Sequence, residues 1–419
     1  LADKHQACPY CGFTAPKIKE YVTKEITHSA LTTQKCIIKY RARRYKCSCC
    51  GKTYYEFNPF VFKSQKISIL TVHNILKDLK DFNETFTSVA RRYHVSPTSV
   101  STIFDNHVDI GRNPLPEIIN FDEVYAFKSE KSKYVCVLLD FKKQIPVDVL
   151  PNRKKEYLLN YFQKIPLEER KKVKYACSDM YEVYRDVVHK VFPEAKHLLD
   201  YFHLSQDFHK KMNEVRIKVM KGYKDDKASD EYYLLKKFNW LLFKNPEDED
   251  KYGRLFDVER ERKYNSHFKS YMNYYDLRKK ILEINNDLTI CYSLKLELVD
   301  FYSKSTIDNA QVNLEHLIRS FIDTNIEEMI KFSNNLINWK QEIINSFTIV
   351  GTEYKVEADK GQVVVCNKKV NNAIIENRNK IIKCIKNNAN GYTNWSRFRN
   401  RVMYVLDPNT TFSLEPREK

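Results

Sequence analysis

Residues 175–203 read YACSDMYEVYRDVVHKVFPEAKHLLDYFH, and inside them two short apolar runs each stop on an aspartate, Asp179 and Asp200. Nothing local explains a carboxylate at either point. A strand that ends on an acid either turns a polar end to water or delivers a ligand to a site, and the alternative chosen decides what the surrounding domain is for. Similar runs precede this one: EIINFDEVYAF (117–127), KYVCVLLDF (133–141) and QIPVDVL (144–150), followed by the helical pattern RKKEYLLNYFQKI (153–165). Strands interleaved with helices predict an α/β domain.

Downstream, from about 205 to 350, the strand signal vanishes. VNLEHLIRSFI puts Leu314, Leu317, Ile318, Phe321 and Ile322 on one face, and IEEMIKFSNNLINWKQEIINSF repeats the stripe with Ile326, Met329, Ile330, Leu336, Ile337, Ile343, Ile344 and Phe347. Such stripes mark a helical core. The charge-dense segment 244–264 reads as a solvated linker or exposed helix. A last helical stretch, VNNAIIENRNKIIKCIKNNANGY, closes on the turn pair Asn390-Gly391 before TNWSRFRNRVMYVL.

Upstream lies a different chemistry. Cys8-x2-Cys11 and Cys47-x2-Cys50 are matched pairs, each followed by glycine (Gly12, Gly51). A two-residue gap lets a tight knuckle aim two thiolates at one tetrahedral ion, so two pairs predict a structural Zn2+ ribbon. Cys49 reads as a spare thiol or a substitute for Cys50, and Cys36, Cys136, Cys177, Cys291, Cys366 and Cys384 as buried side chains. Between the pairs, Lys39, Arg41, Arg43 and Arg44 are candidate phosphate contacts or an ordinary solvated face. Next, FTSVARRYHVSPTSVSTIF reads as helix, turn at His94 to Ser96, helix; Val89 and Ala90 face inward and Pro97 opens the second helix. Thr98, Ser99, Ser101 and Thr102 there suit an approach to base edges in a major groove.

Lys+Arg of 71 against Asp+Glu of 54 gives a formal +17 over 419 residues. That excess points to nucleic acid, although a Lys-, Asn-, Ile- and Tyr-rich composition also follows from AT-rich coding. No run approaches the roughly 18 apolar residues that span a bilayer, no basic amphipathic helix stands out, and LADKHQACPY lacks an apolar signal region, so a cytosolic protein without membrane contact is expected.

If the polyanion is DNA and the chemistry is on its phosphodiesters, paired divalent ions need carboxylates converging from separate elements. Asp122, which interrupts IINFDEVYAF, and Asp179 fit. In NNAIIENRNKIIK, Glu376, Asn379 and Lys383 share one helical face. That stripe suits a site binding metal and phosphate, and it equally suits a solvated helix face.

RRYKCSCCGKTYYE, FDEVYAFK, CSDMYEVYRDVVHKVFPEAKHLLDYFH and NNAIIENRNKIIKCIKNNANGYTNWSRFRNR, in this order, resemble the bacterial DDE transposases of the ISL3 insertion-sequence family. The resemblance spans nearly the whole chain. It implies a multidomain α+β protein: a zinc ribbon (1–58), a DNA-binding helix-turn-helix (59–112), an RNase H-like α/β catalytic core (113–205), an α-helical insertion (206–365) and C-terminal helices carrying the third acid (366–419). Asp122, Asp179 and Glu376 match the catalytic acids that hold Mg2+ or Mn2+. Asp200 and His203 match a D-x-F-H segment and are expected as support or DNA contacts; Asn379, Lys383 and Arg397 are expected at DNA, with Tyr392 and Trp395 as aromatic neighbours and Trp395 read as helix packing. Family members usually carry glycine after the glutamate, where this chain has Asn377. The implied partners are double-stranded DNA, both the element's terminal inverted repeats and target DNA, and a second copy of the chain, since two ends must be held together; the implied place is the bacterial cytosol at the nucleoid. Two rival readings are a catalytically inert, transposase-derived DNA-binding regulator and a metal-dependent nuclease without strand transfer.

Overall fold

The structure is a computed structural model that describes residues 7–31, 34–62, 65–127, 132–356 and 363–417. The chain divides into two compact units. The first comprises Leu1–Pro116, Asp122–Leu158 and Ile374–Lys419, and the second Glu117–Phe121 and Leu159–Ala373.

The first unit begins with a three-stranded antiparallel ribbon, β1 (Lys17–His28), β2 (Cys36–Lys46) and β3 (Thr53–Tyr55), ordered β1-β2-β3. It is too thin for one core, and β2 uses both of its faces. Tyr40 and Ala42 pack with Ile26, Phe60 and Val61, whereas Tyr45, at the opposite parity, packs with Tyr54 beside Cys8 and Cys47. Three helices follow, α1 (Ile69–Asp78), α2 (Phe86–Arg92) and α3 (Pro97–His107). They close on a shared cluster that includes Val72, Ile75, Val89, Ala90, Val100 and Phe104. The expected turn lies between α2 and α3: His94 takes φ 54°, and Ser96 caps α3.

Next come β4 (Ile118–Val124), β5 (Val135–Asp140), β6 (Pro146–Leu150) and α4 (Lys155–Gln163), then α5 (Leu167–Arg170), β7 (Tyr175–Ser178), α6 (Glu182–Val191) and β8 (Lys196–Leu199). The five strands have the order β6-β5-β4-β7-β8. β5 and β6 are antiparallel, while β4–β7 and β7–β8 are parallel, which makes the sheet mixed. β4 is central, and its residues 118–122 and 124 are buried, as a strand covered on both faces requires.

The rest of the second unit is mostly helical: α7 (Tyr201–Lys221), α8 (Asp230–Lys237), a 3-10 turn (Asn239–Phe243), α9 (Tyr274–Glu283), α10 (Asn286–Lys304), α11 (Ala310–Ile322), α12 (Glu327–Asn338) and α13 (Lys340–Asn345). One core gathers Phe208, Leu241, Leu298, Leu314, Phe321, Met329, Phe332 and Ile343 among others. The second predicted stripe is not one helix; it breaks at Trp339 into α12 and α13. Two expectations fail here. Segment 244–264 is neither linker nor helix but carries short strands, β9 (Glu249–Asp250) paired with β10 (Gly253–Arg254) around Gly253 at φ 96°, and β11 (Lys263–Asn265) paired with β12 (Ser270–Met272). The stretch expected to be helical to 365 ends in a hairpin, β13 (Ile349–Val356) with β14 (Val363–Lys369), whose Val- and Thr-containing strands favour a pleated backbone over a helix.

The chain then returns to the first unit as α14 (Ala373–Asn388) and α15 (Trp395–Leu406). Ile375, Ile382 and Ile385 of α14 join Phe398, Val402 and Met403 of α15 against Val135, Val137 and Leu139 of β5. Each such side chain contributes about 1.5–3 kcal/mol by burial. Trp395 packs edge-on to Phe127 with ring centres 5.2 Å apart, the packing role expected of it. Among the described residues no helix is long and apolar enough to cross a membrane.

Candidate functional site

The two cysteine pairs converge. Cys8 Sγ lies 3.7 Å from Cys50 Sγ, and Cys11 Sγ lies 3.5 Å from Cys47 Sγ. Zinc–sulfur bonds of about 2.3 Å in a tetrahedron separate the sulfurs by about 3.8 Å, so these thiols fit a Zn2+ shell closely. Each knuckle closes the same way: the Gly12 amide donates to the Cys8 carbonyl at 2.9 Å and the Gly51 amide to the Cys47 carbonyl at 3.0 Å, with both glycines at positive φ (73° and 69°). The backbone amides of Cys50 and Cys49 pull the Cys47 thiol down to about 7, while burial and the neighbouring thiols push Cys11 and Cys50 up, so without a metal one thiolate is favoured among the four. Cys49 stands outside the group of four. Cys384 is exposed rather than buried, a correction to the sequence reading that follows from its place on the outer face of α14.

The cations of β2 fall into two sets. Lys39 and Arg41 are exposed, Lys39 Nζ standing 4.0 Å from Glu25 in a loose surface pair and Arg41 lying over the Tyr21 ring at 4.5 Å. Arg43 is ion-paired with Glu56, and Arg44 donates to Glu20 at 2.7 Å, so these two are committed within the ribbon. On α3, Thr98 and Thr102 are exposed and Ser99 half-buried, beside an open cleft of about 500 Å³ that Lys66, His94 and Ser96 also line. Ser101 is a correction: it is buried and gives its hydroxyl to the Thr98 carbonyl at 3.0 Å, so it faces the helical cluster and not a groove. Arg397 is another, for its guanidinium grips both oxygens of Asp105 at 2.6 to 3.2 Å and ties α15 to α3.

Within the first unit, Asp122 is 8% exposed in β4. Its Oδ1 accepts the Glu123 amide at 2.8 Å, and its Oδ2 accepts Asn379 Nδ2 at 2.8 Å. Both carboxylate oxygens therefore accept a hydrogen bond within the fold. Asn379 sits on α14 one turn after Glu376, which is half-buried; Lys383, a further turn on, is exposed. Asn379 is therefore buried against an acid and is not a surface group for DNA, as had been expected of it. Asn379 Oδ1 is itself buried without a hydrogen-bond partner, so the site holds an unused hard oxygen in addition to its carboxylates. That donor set suits Mg2+ or Mn2+. Asn377 is exposed, so its side chain takes up no packed space on α14.

Within the second unit, Asp179 follows β7 and Asp200 follows β8. The two strands run parallel in register Ser178↔Leu199, and the Asp200 amide donates to the Ser178 carbonyl at 3.0 Å, so both acids leave the same end of neighbouring strands. Ligand sites of open α/β sheets lie at that carboxyl end. Asp200 is buried; its Oδ1 accepts the Asn372 amide at 3.4 Å, and His203 Nε2 stands 3.8 Å from Oδ2. Behind this lies a network that sequence reasoning missed. Asn120 Nδ2 donates to Asn372 Oδ1 at 2.7 Å and to the Asn371 carbonyl at 2.8 Å, and Asn372 Nδ2 donates to the Phe121 carbonyl at 3.4 Å. The signal was present: Asn120 interrupts an apolar strand two residues before Asp122.

A buried strand acid held by a helix that carries a second carboxylate, and a separate cluster of four cysteines, are donor sets suited to metal ions. Comparison with known proteins narrows this. The model of the ISL3-type DDE family, described as transposase, matches residues 119–358. The chain belongs to that family. The match takes in Asp122, Asp179, Asp200 and His203 and ends before Glu376. The transposase for insertion sequence element IS1001 of Bordetella parapertussis is 19% identical over 409 residues, 97% of this chain and 90% of that protein.

Proposed function

We propose that this protein moves an insertion sequence by a DDE mechanism, cutting DNA at the element's ends and joining it to a target. Asp122, Asp179 and Glu376 would hold divalent ions, Mg2+ or Mn2+. When bound, a pair of such ions supplies activation of an attacking oxygen and neutralisation of the charge on the leaving one. The chain's own residues prepare this. Asn379 orients Asp122 through its hydrogen bond, Asn120 and Asn372 brace the backbone around β4 and Asp200, and His203 stands beside Asp200 near the end of β8. Water attacks in the cutting step and the freed 3′-hydroxyl in the joining step, with no covalent protein intermediate. The strand order, with β4 central, supports an RNase H-like core. The Zn2+ ribbon, with Lys39 and Arg41, and the exposed start of α3, with Thr98, Ser99 and Thr102, would bind double-stranded terminal repeats, and Lys383 target or end phosphates. Two ends must be held together, so a homodimer or larger assembly is expected on DNA.

The observation that carries this reading is the hydrogen bond from Asn379, one turn after Glu376, to the buried carboxylate of Asp122 in a chain of the transposase family. The test is a cleavage and joining assay with Mg2+ on DNA bearing the element's inverted repeats. Wild type should cut at the repeat boundary and form strand-transfer product, and Asp179→Asn should bind without cutting. Asn379→Ala removes a hydrogen bond to a charged group worth about 1.5–3 kcal/mol, so it should slow cutting about ten- to a hundred-fold. End binding without cutting by wild type in either Mg2+ or Mn2+ would sink the proposal.

A further inference from the structure

A second constellation lies wholly within the second unit and takes no part in the proposed DNA chemistry. His189 on α6, His197 on β8 and Glu342 on α13 bring one ligand atom each to within 4.8 Å of one another. Glu342 Oε1 is 3.9 Å from His189 Nε2 and 3.9 Å from His197 Nδ1. These separations are too long for N–H···O hydrogen bonds, and yet two ring nitrogens aim at one oxygen.

The protons can be counted. Ser178 has one hydroxyl hydrogen and gives it to the Asp179 carbonyl at 2.8 Å. Its oxygen also lies 2.9 Å from His197 Nε2, and with the hydroxyl hydrogen on that carbonyl the histidine is the donor there. A neutral His197 then carries its proton on Nε2 and its lone pair on Nδ1, facing the Glu342 carboxylate. His197 is 1% exposed and Nδ1 has no hydrogen-bond partner; Glu342 is 4% exposed. A bare lone pair buried against a carboxylate is unfavourable, and a second proton on His197 would bury a charge with no hydrogen bond to satisfy it. Arg185, also on α6, is engaged elsewhere: it lies over the Trp339 ring at 4.3 Å, donates to the Asn338 carbonyl at 2.9 Å and pairs with Glu182.

We propose that His189, His197 and Glu342 bind a Zn2+ ion, with a fourth position open to water on the side of the half-exposed His189. Two imidazoles and one carboxylate are a zinc donor set, and ligands about 2.0–2.1 Å from the ion stand about 3.3 Å apart, so side-chain rotations must close the two 3.9 Å pairs and bring the ring nitrogens in from within 4.8 Å of each other. The ion staples α6 and α13 to β8. It also accounts for the tautomer: ligation at Nδ1 fixes the proton on Nε2, which holds Ser178 and through it the carbonyl of Asp179, the outer-shell arrangement in which a ligating histidine donates its other N–H. On the transposase reading, this makes His197 a positioning residue for the strand end bearing Asp179; the ion's binding does not depend on that reading.

The experiment measures zinc by elemental analysis in the full-length protein, loaded with Zn2+ and dialysed in excess Mg2+ so that hard-oxygen sites hold magnesium. His189 is exposed enough that His189→Ala leaves the core intact, and Glu342→Gln keeps the shape of the buried side chain while removing its charge. Both should retain one zinc fewer per chain than wild type, whereas Cys11→Ser should keep this ion and lose the ribbon's. Equal zinc content in wild type, His189→Ala and Glu342→Gln would overturn the proposal, whatever the outcome of the cleavage assay.

Discussion

The first 110 residues and the helical body of the second unit reach order by different means. The ribbon's cluster at the knuckles has only Cys8, Tyr45, Cys47 and Tyr54, and the three helices after it are short, each beginning with a side-chain cap from Ser68, Thr85 or Ser96. The helical body has a core of more than thirty buried residues; there α8, α9 and α10 are capped by Ser229, Asn273 and Asn285, but α11, α12 and α13 start with no side-chain cap at all. Where little apolar area is available, cysteines placed to hold an ion and local hydrogen bonds stand in for some of the burial found elsewhere. Order in one region is concentrated in a few named atoms; in the other it is spread over many.

The contrast is broken most severely at the knuckles. A structural zinc in a small domain is worth about 10 kcal/mol or more, so Cys47→Ser should unfold the ribbon, with residues 7–58 losing amide-exchange protection while those of the second unit keep theirs. Protection retained in the ribbon would mean that its two small clusters suffice. Phe208→Ala makes the opposite test. Phe208 is fully buried with ring contacts to Phe321 and Phe332, and its truncation should cost about 3–5 kcal/mol in urea unfolding of the second unit without changing zinc content.

The same contrast explains what was legible in the sequence. The cluster of four cysteines was readable because its determinants are local: a two-residue gap and a glycine in each pair. The turn before α3 was readable from Ser96 and Pro97 for the same reason. Asp122, Asp179 and Asp200 could be placed at strands because an acid ending an apolar run is conspicuous. What escaped depends on partners far along the chain. Ser101 looks like its neighbours Thr98 and Thr102 until the helical hairpin closes over it, and Arg397 is an unremarkable cation until Asp105 meets it 292 residues away. Asn120 was readable as an interruption, but its purpose needs Asn372. The β13–β14 hairpin was missed because the stripes before it made continued helix the simpler extrapolation.

A distributed core also tolerates an expensive group. Lys295 on α10 is 1% exposed, donates to the carbonyls of Leu242 and Lys244, and is pushed down to about 7 by burial. In the unfolded chain it titrates near 10.4. Between these values the unfolded state binds the extra proton, so the second unit should gain stability as pH rises from 7 toward 10, by at most about 1.4 kcal/mol per pH unit. Lys295→Met should flatten that slope in urea midpoints measured across the range. An unchanged slope would show that Lys295 stays charged inside the core.

The smallest expected effect returns to the caps. Ser96 Oγ accepts the Ser99 amide at 3.0 Å, and Ser96→Ala leaves that donor to water at the start of an 11-residue helix, a loss of about 1 kcal/mol. The same substitution at Asn309, which heads α11 without capping its first turn and whose Oδ1 instead accepts the exposed Thr306 amide at 2.8 Å, a donor that water can satisfy, should change stability by less than about 0.5 kcal/mol. The pair is informative because both residue types favour helix starts, so a sequence-based propensity treats them alike. If caps carry order only where the core is thin, the two losses will differ at least two-fold in parallel denaturation curves. Equal losses would mean that α11 depends on its first turn as much as α3 does, and that the large core does not excuse its helices from capping.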